Sequence, residues 1–329
     1  MTDLRNRPIF ICGHPKSGTS LLRGVLDSHP QLITYPEETV FFRRYLQQAQ
    51  GKSLEEKILL SDQVITHIFE WNEADPPEHQ KNYPGRDYSD IPVDAVRAEL
   101  RKLVSERFVH DGDMLSAAML AFGKVTGKLT DASQRWVEKT PYNERFVDQI
   151  IAWWPNSLCI HVTRDPRDNY TSYRRKHESW TAEQFAISWR QSTRAGLKNQ
   201  KRYGESKYMI IRYEDFTSNP EEMISRLCNF MEISDDPSMR TPQRGGQAWE
   251  GNSMYADKFQ SISSAPVGRW KDALSPDELF VLESIDRPQM NAMGYTLSNT
   301  KLDTLSMSSR LKVIQKLAYI NLKEFVYDR

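Results

Sequence analysis

An α/β fold, with a parallel sheet wrapped by helices, is what this sequence predicts, and three observations predict it. Short apolar runs alternate with stretches of helical periodicity, the first run enters a glycine-bearing loop that opens onto a helix, and helix-start signals precede several apolar stripes. In chain order, Ile9 to Cys12 is the first apolar run, and Leu21, Leu22, Val25 and Leu26 then recur at helical spacing. Thr140 and Pro141 offer a cap and a first-turn proline for a helix with Phe146, Val147, Ile150 and Ile151 on its inner face, stopped by Pro155. Leu158 to Val162 reads as a buried strand that runs into Thr163-Arg164-Asp165-Pro166, where Asp165 can cap a helix begun by Pro166. Thr181 with Gln184 makes a capping-box pattern, and Tyr208 to Ile211 is a further short strand. Ser218 or Asn219 caps a helix opened by Pro220, with Met223, Ile224, Leu227, Cys228 and Met231 facing inward; Ser275, Pro276 and Glu278 repeat the capping logic. Strands alternating with helices join most simply by right-handed crossovers, which gives a parallel sheet.

The whole chain, 1–329, reads as one domain with additions. From about residue 43 to about 135 the helical signals are polar and irregular, punctuated by Pro76, Pro77, Pro84, Gly85 and Pro92, which describes a largely helical insertion beside the sheet. Gln243 to Val267 is rich in Gly, Ser and Gln and reads as a long functional loop. From about 300 to 329 comes a helical extension whose stripe is Leu311, Ile314, Leu317, Leu322 and Phe325, with six basic residues against three acidic ones between Lys301 and Arg329. Packing on the domain is the ordinary use of so narrow a stripe; a homo-oligomeric or peripheral membrane contact is the alternative.

Lys plus Arg number 44 and so do Asp plus Glu, so no overall basic field exists to gather nucleic acid, and any anion site must be local. Cys12, Cys159 and Cys228 each lie in an apolar run, which suits buried thiols in a reducing compartment. Only Met1 to Arg7 precede the first strand pattern, too short a stretch for a secretory core, and the best uncharged run, Ile150 to Thr163, is broken by Pro155, Asn156 and Ser157. A cytoplasmic protein without a transmembrane segment is the expectation.

After the first strand stands Gly13-His14-Pro15-Lys16-Ser17-Gly18-Thr19-Ser20, followed by a helix. Backbone N–H groups of such a loop and the helix N-terminus both face an anion, so the segment is a phosphate cradle of P-loop type. In a nucleoside-triphosphate loop a lysine would follow the second glycine; here Thr19 does, and the lysine comes earlier, at Lys16. That displacement argues against the rival reading, a nucleotide or adenylylsulfate kinase.

P-K-S-G-T-S after a strand resembles the 5′-phosphosulfate loop of the sulfotransferases that use 3′-phosphoadenosine 5′-phosphosulfate (PAPS), and three later segments extend the resemblance. Arg164 and Ser172 have the spacing of that family's arginine and serine for the donor's 3′-phosphate; Ile211 to Phe216, with Tyr213, is similar to its strand end near the adenine; and Gly268-Arg269-Trp270-Lys271 resembles its late G-x-W-K donor loop. The resemblance implies a three-layer fold, PAPS as co-substrate held by Pro15, Lys16, Ser17, Gly18, Thr19 and Ser20 together with these later residues, and a hydroxyl-bearing acceptor. Tyr35 to Phe42 resembles the segment that supplies the base in the protein-tyrosine and glycan sulfotransferases; aligning Glu-x-x-Phe-Phe selects Glu38. Lys139, in E-K-T-P-Y-N, resembles the lysine those relatives place beside the transferring group. If Ile33 to Glu38 is extended, Glu37 and Glu38 point to opposite sides and only one faces the pocket, so replacing Glu37 should matter little. Intact Lys16 and Glu38 argue against a binding module that has lost transfer. Arg167, Arg174, Arg175 and Lys176 read mostly as a solvated basic face, the seven histidines show no ligand spacing, and no metal is expected.

Overall fold

Strand β1 (Pro8–Cys12) is buried along its whole length, and alternate residues enter different cores. Phe10 and Cys12 pack with Trp136, Trp154, Met114 and Phe122, whereas Ile9 and Ile11 pack with Leu22, Val25, Ile224 and Leu227. A strand apolar on both faces needs helices on both sides, which makes three layers. Each such side chain contributes roughly 1.5–3 kcal/mol by leaving water. The computed structural model describes residues 4–83, 85–249, 251, 261–298 and positions 307, 310, 311, 314, 315, 318 and 319.

After β1 come α1 (Thr19–Leu26) and the edge strand β2 (Leu32–Thr34). A π-helical turn at Phe41–Tyr45 then leads into α2 (Leu46–Ala49), α3 (Leu54–Val64), α4 (Val93–Glu106) and α5 (Gly112–Val125), which lie in sequence between β2 and β3 (Arg135–Lys139). Helix α6 (Val147–Trp153) crosses to β4 (Leu158–Thr163); α7 (Pro166–Arg174) and α8 (Ala182–Tyr203) cross to β5 (Tyr208–Arg212). The five strands form one parallel sheet in the order β2-β3-β1-β4-β5. Beyond it lie α9 (Tyr213–Ser218), α10 (Pro220–Met231), a two-rung hairpin of β6 (Gln243–Arg244) and β7 (Gln247–Ala248), then α11 (Trp270–Ala273) and α12 (Pro276–Ala292). Helices α7, α8 and α12 share a third core around Tyr173, Phe185, Trp189, Leu282 and Ile285.

The caps expected at Asp165, Thr181 and Ser275 are present, the last two as full capping boxes. Asn219 makes no side-chain cap; Ser218 Oγ instead donates back to the Glu214 carbonyl at 2.7 Å. The helix anticipated at Pro141 starts later, because Tyr142 is left-handed (φ 70°) and a 3₁₀ turn, Asn143–Phe146, precedes α6. The loop Gln243 to Val267 contains the β6–β7 ladder, and part of it lies outside the described residues. Of the C-terminal stripe, Leu317, Leu322 and Phe325 lie outside the described residues, while Leu311 and Ile314 are exposed rather than packed on the domain. All three cysteines are buried free thiols.

Candidate active site

The phosphate loop joins the C-terminal end of the central strand to α1, and two glycines make its path possible. Gly13 has φ 128°, and a Cβ there would stand 2.3 Å from the Val162 carbonyl oxygen; at Gly18, φ 107°, it would stand 2.5 Å from Tyr213 Cδ2. The buried Glu144 carboxylate anchors the loop, accepting from the Gly13 N–H at 3.0 Å and from Ser192 Oγ at 2.5 Å. Left-handed backbone at residues other than glycine costs of order 1–3 kcal/mol and clusters at functional sites. Lys16 (φ 66°), Val40 (φ 50°) and Tyr142 (φ 70°) have it, follow the ends of β1, β2 and β3, and line a common cavity.

One pocket is lined by Lys16, Gly18, Thr19, Ser20, Arg164, Ser172, Tyr213 and Arg269, so the loop and the distant Arg164/Ser172 pair meet. Their meeting place is the C-terminal edge of parallel strands, where open α/β sheets hold ligands. Arg164, at the end of β4, donates from Nη2 to the Pro266 carbonyl at 2.9 Å and from Nη1 to that of Lys16 at 3.4 Å; its guanidinium lies 4.6 Å from the Tyr213 ring centre. Its Nε is buried with no hydrogen-bond partner among the described residues. Thr171, Pro242, Trp249 and Pro266 also line the wall and were missed from sequence, where nothing sets Trp249 apart from Tyr255 and Phe259 in the same polar loop.

Other expected donor residues stand elsewhere. Ser17 is fully buried behind the loop, and Pro15 faces the second cavity. Gly268, Trp270 and Lys271 line a neighbouring depression with Asp165 and Tyr295 instead of the pocket itself. They position Arg269: the Asp168 carboxylate accepts from the Gly268 and Trp270 N–H groups at 2.6 and 2.9 Å, and Arg167 lies 4.1 Å from the Trp270 ring centre.

Lys16, Thr19 and Ser20 also line a second cavity beside the first, which holds Glu38 and Lys139. Lys139 Nζ donates to Glu38 Oε1 at 2.6 Å. Burial raises the Glu38 pKa, but Lys139 foremost, with Arg43 and Arg86, outweighs it and holds the carboxyl below its ordinary value. Burial pushes Lys16 down to about 8, with Lys176, Lys139 and Arg86 adding and Glu38 opposing. Glu138, buried beneath, ties the parts together by accepting from Thr39 Oγ1 at 2.8 Å, Thr140 Oγ1 at 2.5 Å and Asn143 Nδ2 at 2.7 Å. His67, His79 and His177 reach the cavity too; burial pushes His67 down to about 4.

Glu37 overturns the expectation drawn from alternation. The strand ends at Thr34, so period two does not extend to residue 37, and both glutamates line the same cavity. Glu37 is buried, ion-paired with Arg86 and accepting from Tyr88 OH at 2.8 Å, with Arg244 Nε at 3.9 Å. Trp71 and Tyr83 stack with ring centres 4.7 Å apart under the Arg86 guanidinium to make an aromatic wall. Lys16, Arg23, Arg43, Arg44, Arg86, Lys139, Lys176 and Arg244 line the cavity, against only Glu37 and Glu38.

A phosphate cradle sharing a lysine with a cavity that holds an ionised carboxylate is the arrangement of a nucleotide-dependent group-transfer enzyme. The chain belongs to the sulfotransferase family, whose model matches residues 8–237, and it is a sulfotransferase. A putative protein-tyrosine sulfotransferase of Caenorhabditis briggsae is 23% identical over 305 residues, covering 90% of this chain and 91% of the relative. Protein-tyrosine sulfotransferase A of Caenorhabditis elegans is 20% identical over 297 residues, covering 87% and 67%. The sulfotransferase domain of the Synechococcus PCC 7002 olefin synthase has the same fold, with a TM-score of 0.58 at 18% identity over 89% of this chain and 96% of that one. The sulfotransferase domain of the curacin biosynthetic pathway is similar, at 0.57 and 20% over 88% and 98%. Among the described residues no helix is long and apolar enough to cross a membrane, and no group of three metal-ligating side chains is assembled.

Proposed function

We propose that the chain transfers the sulfuryl group of PAPS to an acceptor hydroxyl, with Glu38 as general base. The observation that carries this reading is the shared edge: Lys16, Thr19 and Ser20 border both the pocket of Arg164 and Ser172 and the cavity of Glu38. The pocket suits a nucleotide bisphosphate, since Arg164 retains an unused N–H and Gly18, lacking a Cβ, lets the Tyr213 ring close against the loop. Arg164 and Ser172 would hold the 3′-phosphate, and Gly18, Thr19 and Ser20 the 5′-phosphate, while Tyr213 and Arg269 flank the nucleotide. PAPS supplies an activated sulfuryl group on a phosphate leaving group. Lys16 neutralises charge growing on the oxygen between phosphorus and sulfur as that bond breaks. Glu38 takes the acceptor's proton as its oxygen bonds to sulfur, and Lys139 orients Glu38 and keeps it ionised. Donor and acceptor held in line make proximity the larger part of the rate, and no divalent metal is needed.

Glycan, lipid, small-molecule and peptide-tyrosine hydroxyls are all within this chemistry, and the named relatives favour tyrosine. The cytoplasm, where buried free thiols persist, is the proposed location, and exposed Leu311 and Ile314 are the proposed seat of an oligomeric or peripheral contact. Incubating the purified chain with sulfur-35 PAPS and panels of glycans, lipids, phenols and peptides tests the function. Label should pass to at least one hydroxyl class, and transfer to none, with donor bound, would end the reading.

A further inference from the structure

Arg23, on α1 one turn beyond Thr19 and Ser20, is 2% exposed and lines the acceptor cavity. Neither Nη has a hydrogen-bond partner among the described residues. Its ion-pair partner, Asp27, is 3.8 Å away and is engaged already by Lys128 at 3.6 Å and by the Gly246 N–H at 2.8 Å. Arg244, on β6, lines the same cavity, and its Nε has no hydrogen-bond partner among the described residues. Arg86 and Arg244 share one carboxylate, Glu37. Among the described residues, four cations, Arg23, Arg86, Arg244 and Lys128, thus face two carboxylates, Glu37 and Asp27, an excess of two positive charges (4 − 2) in a largely buried place. Burial draws the Arg244 pKa down, Glu37 pulls it up, and Arg23 and Arg86 add to the lowering. An uncompensated buried charge is costly unless a counter-charge meets it. None of the three arginines lines the nucleotide pocket, so the donor's phosphates are not that counter-charge.

We propose that Arg23, Arg86 and Arg244 form an anion subsite of the acceptor cavity, taking a carboxylate or sulfate that the acceptor carries apart from its reacting hydroxyl. Glu37 is its positioning residue, since it fixes Arg86 and Arg244 to one point and leaves their other N–H groups to the ligand. The proposal rests on reading the second cavity as the acceptor site.

Calorimetric titration of the full chain, saturated with 3′-phosphoadenosine 5′-phosphate (PAP), with sodium sulfate and separately with sodium acetate at constant ionic strength tests it. At least one anion should bind saturably to the PAP complex, and the stronger of the two tells which oxyanion the subsite favours. Arg23→Met and Arg244→Gln should each weaken that binding by about tenfold or more, as the loss of a charge-assisted hydrogen bond does, while PAP affinity stays within about threefold. Arg23→Met should also leave the thermal midpoint of the ligand-free protein equal or higher, because it removes a buried charge whose Nη groups no hydrogen bond satisfies among the described residues, whereas an arginine kept for packing would lower it. Arg244→Gln serves should Arg23→Met not fold. Absence of saturable anion binding, competition between sulfate and PAP, or unchanged binding in both variants would overturn the subsite. Failure of PAP itself to bind would overturn the nucleotide reading instead, and the same variants titrated without PAP would still decide the subsite.

Discussion

If Lys16 meets the donor's phosphates as proposed, it should couple donor binding to protons, and the size of the effect follows from its position. Its amine lies at the edge shared by two cavities, largely out of water and near Lys176, Lys139 and Arg86, so its pKa falls to about 8. A bound bisphosphate brings negative charge to that amine and raises its pKa again. At pH 8 about half of the free molecules carry a neutral Lys16, so forming the complex takes up about half a proton once the bound pKa exceeds roughly 9.5. The sign is fixed: the complex binds more protons than its parts, so affinity is flat near pH 6.5, begins to fall near pH 8, and drops toward tenfold per unit above it. The PAP phosphates are fully ionised there and release none. Calorimetry at pH 8 in two buffers of different ionisation enthalpy measures the uptake directly, with Lys16→Met as control. An uptake near zero, or an equal uptake in Lys16→Met, would refute the placement of Lys16 against the donor.

Glu38→Gln keeps shape and removes basicity, so turnover should fall by at least about 100-fold while PAP affinity holds; comparable turnover would remove Glu38 from the chemistry. Glu37→Gln should instead cost about 1–3 kcal/mol of stability in urea unfolding, because Arg86, Tyr88 and Arg244 lose their shared acceptor; an unchanged midpoint would contradict its anchoring role. Gly18→Ala should abolish PAP binding, since its Cβ meets the Tyr213 ring at 2.5 Å in a backbone that alanine resists; retained affinity measured by calorimetry would show that the loop adapts.

Local rules made much of this molecule legible in its sequence. Asp165 before Pro166, Thr181 with Gln184 and Ser275 with Glu278 are short-range signals, and each caps the helix it announces. Arg164 and Ser172 came within reach only through the family resemblance, and β4, α7 and the turn between them hold the two at that spacing. What stayed hidden depends on partners far along the chain. Strand β3 holds Arg135, Glu138 and Lys139 among its five residues, which reads as polar until the Met231 carbonyl, Glu232, Thr39 and Glu38 arrive to satisfy them. Glu37 looked expendable because Arg86 and Arg244 stand 49 and 207 residues away. The left-handed turn at Tyr142 had no glycine or asparagine to announce it, so the helix after Pro141 was expected too early.

The most direct test of the central claim is calorimetric titration of the chain with PAP and, separately, with ATP, both in excess chelator. PAP should bind at one site per chain without magnesium and clearly more tightly than ATP, and Arg164→Ala should lose most of that affinity, because the 3′-phosphate loses its forked partner. Equal affinity for the two nucleotides, or binding of either only when magnesium is restored, would contradict the account.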